Sequence, residues 1–146
     1  MTSKHLAYYC WANRQWIDFI YDNYPQDEYM LKLINHIAKG ARAWTDRIGG
    51  ADWNRDLWGI ENKDELIALE DNIRHRIESL TEQRLTDRMH ITRLNGLSHN
   101  PAIADIVQHL LIHGDHHRGQ LASYAVAKGY KKPDIDYLNF CIIHQL

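Results

Sequence analysis

Large apolar residues recur at three- and four-residue intervals through three long stretches of this chain, a period that an α-helix turns into one buried face. The first stretch runs roughly from Ser3 to Tyr24 and aligns Tyr9, Ala12, Trp16, Phe19 and Ile20. Asn23-Tyr24-Pro25 ends it, because proline disfavours helical geometry in the residue before it. Asp27 is the expected cap of a second helix from about Glu28 to Ile48, striped by Leu33, Ile37 and Trp44 and stopped by Gly49-Gly50. A third helix is expected from near Asn62 to about Gln83, burying Leu66, Leu69, Ile73, Ile77 and Leu80 behind a charged outer face. The fourth should open with Asn100 as N-cap and Pro101 in the first turn, and run to Lys128 before Gly129.

The connections are less regular. ADWNRDLWGIEN reads as a loop that carries two tryptophans, Trp53 and Trp58. Between Leu85 and Ser98, Met89 and Ile91 alternate with His90 and Thr92, which points to a short extended segment, and Asn95-Gly96 is a turn signal. The tail holds Pro133, Asp134 and Asp136 and then the apolar stretch YLNFCII. Four long helices imply an all-α four-helix bundle, a single domain over residues 1–146. The long connection before the fourth helix leaves the topology open.

Composition narrows the partners. A chain of 146 residues can bury one sizeable core. Its net charge of −2, from 17 basic and 19 acidic residues, gives no electrostatic reason for a nucleic acid or an anionic membrane as partner. No apolar run is long enough to cross a bilayer, and MTSKHLAYYCWANRQW lacks the pattern of a secretory signal. Cys10 and Cys141 form neither a CxxC pair nor a disulfide framework, so a cytoplasmic protein is expected. Five Trp and eight Tyr against two Phe suit a pocket wall or an interface, or equally a core with amphipathic rims.

Histidine is concentrated in HLLIHGDHHRGQLASY, residues 109 to 124. His109, His113 and His117 are four apart, and each step of four advances about 40° round a helix. Two imidazoles at that spacing can meet one ion at about 2.0–2.1 Å without distorting the helix. His116 lies about 60° off that stripe and is worse placed. Bundle sites recruit ligands from facing helices. His36 is the best third ligand, because it sits mid-helix beside Leu33 and Ile37, with Gly40 leaving space one turn on. His109 fits a structural or supporting place better than a ligand. Gly114 removes a side chain beside the pair, and Gly119 points to a close approach to the backbone. The competing reading is that these are hydrogen-bonded core histidines.

HGDHHRGQL resembles the HGxxHRGQ signature of the DinB/YfiT-like family, a superfamily of metalloenzyme-like bundles. NHIAKGARAWTDRI is similar to that family's second-helix segment, YYCWANRQWIDFI to its aromatic-Trp-Ala-Asn-Arg opening, and DIDYL to its Asp-Tyr tail. The resemblance implies an up-down-down-up four-helix bundle, commonly a homodimer, with a divalent zinc or nickel ion on three histidines. Matched position by position these are His36, His113 and His117. Many relatives carry an acidic residue five positions after the second-helix histidine; this chain has Ala41 there.

A divalent ion on three neutral imidazoles keeps a position for a substrate and can lower the pKa of what it binds. Gln120 lies within about 20° of the direction of His113, and Tyr124 bears the same relation to His117, so either can support the site or merely pack. Arg118, about 100° from His117, suits a helix anchor or a contact to a substrate carboxylate from the rim. Asp115 points away, and there is no HExxH to supply a glutamate base. The family resemblance implies a small-molecule transferase or isomerase with a thiol cosubstrate, its electrophile among tryptophans and aromatics of the first two helices. The alternatives are a non-catalytic metal-binding stress protein and a metal-dependent hydrolase.

Overall fold

In the computed structural model, which describes residues 3–146, four long helices carry the fold. α1 spans Lys4–Asn23, and the Ser3 hydroxyl caps it by accepting from the Leu6 N–H. Tyr24 leaves helical geometry just before Pro25, as the proline requires. α2 spans Glu28–Ile48 and is capped by Asp27, whose carboxylate accepts from Met30 N–H at 3.2 Å. Gly50, at φ +76°, turns the chain out of α2 in the left-handed region open to glycine.

α3 spans Lys63–Glu78, with Asn62 as its cap. It stops short of the expected end near Gln83. The Ser79 hydroxyl donates back to the Arg76 carbonyl, and Thr81 caps a separate short helix, α4, Glu82–Thr86. Two local hydrogen-bonding side chains thus break a pattern that apolar periodicity would have continued.

A hairpin follows. β1, Ile91–Thr92, pairs antiparallel with β2, Ser98–His99, in the register Ile91 to His99, and Gly96 at φ +82° makes the turn. The extended segment and its turn are where the alternation places them. The pairing also runs past the strands: Met89 N–H donates to Pro101 O, and Ile103 N–H to Asp87 O. That pairing corrects the expected helix start. Asn100 and Pro101 stay outside the helix, and α5 spans Ile103–Ala127 with the extended Ala102 at its cap and no side-chain cap bond. Backbone partners at residues 87 and 89 of the same chain outcompete the local cap here. The tail folds as one further helix, α6, Tyr137–Ile143, which seats Phe140 against Tyr8 and Trp11.

α1 and α2 each pack on both α3 and α5, so the order around the bundle is α1, α3, α2, α5. The expectation of an all-α bundle holds. Trp16, Ile37, Leu66, Leu111 and Leu121 fill the centre, all buried. The contact of α2 with α5 matters most for function, because it sets the middle of each helix face to face. Among the described residues no helix is long and apolar enough to cross a membrane.

Candidate metal centre

His36 comes from the middle of α2 and His113 and His117 from successive turns of α5, and one ring nitrogen of each lies within 4.8 Å of the others. The two α5 imidazoles meet through their Nε2 atoms at 3.0 Å. Two nitrogens bound to one tetrahedral ion at about 2.0–2.1 Å stand about 3.3 Å apart, so this spacing fits the edge of a shared coordination sphere. Gly40 makes the approach of the helices possible: a Cβ there would sit 3.2 Å from His113 Cε1.

Two of the rings are oriented from outside. His36 Nδ1 donates to the Leu57 carbonyl at 2.9 Å, and His117 Nδ1 donates to Gln120 Oε1 at 2.7 Å. An imidazole whose Nδ1 carries the proton offers Nε2 as the lone-pair donor. Both therefore present the correct nitrogen to the cluster. Burial, reinforced by His117, His36 and the other nearby imidazoles, pushes the His113 pKa down to about 4. Burial also lowers that of His36, against the opposing pull of the Leu57 hydrogen bond. Both rings are held neutral, the state a cation needs. The donor set, three imidazoles and no carboxylate, suits a borderline divalent ion such as zinc.

The remaining sequence candidates separate. His109 lies outside the trio, its ring 6.1 Å from that of His113 and edge-on to Trp44. Gln120 bonds His117, three residues before it, and not His113, with which its angle aligned it. Tyr124 does not: its hydroxyl donates to Asp27, the cap of α2. Arg118 is buried and anchors α5, donating to Asn13 on α1 and to Asp115. The rim role for Arg118 is thereby set aside. Gly114 does not face the histidine pair but the opposite side, where Tyr9 and Arg118 fill the space a Cβ would take. Gly119 faces open space, with nothing within 4 Å of a Cβ, so no close approach explains it.

The aromatic surroundings also differ from expectation. Trp58, from the loop, stacks on His36 at 3.8 Å with 5° between the planes, while Trp44 of α2 flanks His109. The α1 rings are engaged elsewhere: Tyr9 and Trp16 in the core, Tyr8 and Trp11 against α6. Sequence reasoning missed Lys39, whose side chain is 1% exposed and paired with Asp56 at 2.7 Å and Glu61 at 3.0 Å. It missed the Asn13 link as well, whose amide donates to Glu70 at 3.0 Å. A lysine amid Ile37, Ala38 and Ala41, one turn past a proposed ligand, was the available signal for the first.

Comparison with curated proteins returns no significant match. The description of the DinB family, by contrast, matches from residue 1 to 144, nearly the whole length. A bundle whose α2 and α5 bring three histidines together is therefore accounted for by descent: the chain belongs to the DinB family.

Proposed function

We propose that this chain is a metal-dependent enzyme of transfer or isomerisation that works on a small molecule with a low-molecular-weight thiol, with His36, His113 and His117 as the ligands. One observation carries the reading: three imidazoles converge from two helices, two of them with the outward nitrogen already bonded, and among the described residues no carboxylate joins them. His36, His113 and His117 would hold a zinc or nickel ion, whose Lewis acidity would lower the pKa of a thiol and favour its thiolate.

The chain's own residues do the rest. Leu57 O and Gln120 Oε1 hold two rings in the tautomer that binds. Burial keeps His113 neutral at physiological pH. Trp58, half exposed, offers an apolar flank beside His36 against which an electrophile can lie. The absence of a carboxylate from the trio disfavours a general-base hydrolase. The single-domain arrangement, the homodimer and the cytoplasmic setting belong to the same reading.

The test is elemental analysis of natively purified protein, followed by assays of the metal-loaded form with glutathione-, bacillithiol- and mycothiol-type thiols plus an electrophile. Thiol-dependent turnover that disappears in His113→Ala is expected. Stoichiometric metal with no turnover across those thiols overturns the enzyme reading and leaves a metal-binding stress protein. Thiol-independent ester hydrolysis replaces it with a hydrolase.

A further inference from the structure

The loop between α2 and α3 is tied down far more heavily than its exposure requires. Lys39 lies one turn after His36 on α2, and its buried ammonium reaches Asp56 at 2.7 Å and Glu61 at 3.0 Å. These two carboxylates bracket Leu57 and Trp58, the two loop residues that hold the His36 ring. The Asp56 carboxylate also accepts from Gly59 N–H at 2.8 Å and Trp58 N–H at 3.3 Å, folding the turn that aims the Leu57 carbonyl. Gly59 leaves room for this pair: a Cβ there would crowd the Asp56 carboxylate and stand 2.8 Å from Lys39 Nζ. The return of the loop is pinned by Glu61 N–H on the buried Asn35 side chain at 3.0 Å and by the Tyr21 hydroxyl on Glu61 O at 2.6 Å.

We propose that Lys39 and Asp56 form a latch that positions His36 for the metal, by folding residues 56–59 so that the Leu57 carbonyl takes the Nδ1 proton and Trp58 fixes the plane of the ring. This rests on the reading of the three histidines as a metal site. Lys39 and Asp56 are positioning residues, since neither touches the ligand nitrogens. A buried lysine is a costly way to stabilise a loop. Here it joins the loop to the same helix face that carries His36, so the ring and its restraint move as one body.

The test uses the full chain and rests first on two variants, with Asp56→Glu and His113→Ala as controls. Asp56→Ala alters a half-exposed side chain and leaves Lys39 paired with Glu61, while Lys39→Met keeps the buried volume without the charge. Co2+ titration near neutral pH reads affinity and the visible ligand-field band. Long-range 1H–15N NMR on the metal-free protein reads the His36 tautomer. The expected result for Asp56→Ala is roughly 10- to 100-fold weaker Co2+ binding, a changed band, and appearance of the Nε2–H tautomer of His36, with Asp56→Glu restoring much of the affinity. Unchanged affinity, or a His36 that stays Nδ1–H, overturns the latch. Should Lys39→Met unfold, Asp56→Ala decides alone. Wild-type protein whose Co2+ binding is indifferent to His113→Ala would instead overturn the metal reading, and the NMR result would still show whether the loop sets the tautomer.

Discussion

His113 and His117, one turn apart on α5, hold their Nε2 atoms 3.0 Å from each other. At that distance one ring donates and the other accepts, and a cation in place of that proton would serve both lone pairs. His36 closes the third side from α2.

Removing His113 or His117 by alanine substitution should abolish stoichiometric binding of zinc or nickel, and His36→Ala should weaken it strongly. His109→Ala should leave the metal in place, since that ring packs on Trp44 outside the trio. Equilibrium dialysis with elemental analysis decides the matter. Full metal retention in all three ligand variants would refute the assignment.

Gln120→Leu should weaken metal binding by roughly tenfold without loss of the fold, because it removes the oxygen that holds His117 Nδ1. Calorimetric titration beside a thermal melt separates the two effects. Unaltered affinity would make Gln120 a surface residue only.

Gly114 and Gly119 should respond to alanine in opposite directions. At Gly114 the new methyl enters space held by Tyr9 and Arg118, and we expect a loss of about 1–3 kcal/mol. At Gly119 it meets nothing, and helix propensity should yield a gain of about 0.5–1 kcal/mol. Urea unfolding of the metal-free protein measures both.

Glu70 provides a pH signature. Burial, against the opposing Asn13 hydrogen bond and the Arg118 charge, raises its pKa from 4.5 to about 7. The folded state then holds the proton more tightly than the unfolded state. Its stabilising contribution is complete below about 4.5 and is lost as pH rises through about 7. At most roughly 3 kcal/mol is involved, at 1.36 kcal/mol per pKa unit. Unfolding free energy of the metal-free wild type, minus that of Glu70→Gln, should fall between those two values; a flat difference would contradict the assignment.

The residue order along this chain already contained the helices and much of the site. Apolar periodicity over α1, α2 and most of α3, the Asp27 cap and the four-residue spacing of His113 and His117 are local properties. They depend on backbone hydrogen bonds and side chains within a turn or two of each other. His36 was legible because its helix and its apolar neighbours were, and its pairing with the α5 histidines agrees with the family resemblance.

Contacts across long stretches of chain settled the rest. Pro101 looked like a first-turn residue, but its carbonyl met Met89 and the helix began later. Arg118 looked able to face a substrate, but Asn13, 105 positions away, takes its guanidinium. The restraint on His36 comes from Leu57, Trp58 and the charge pair Lys39–Asp56, residues whose significance depends on where a loop lands. A helix follows from short-range bonding that sequence spells out. The orientation of a ring, and so which nitrogen it offers, follows from partners that only folding brings within reach.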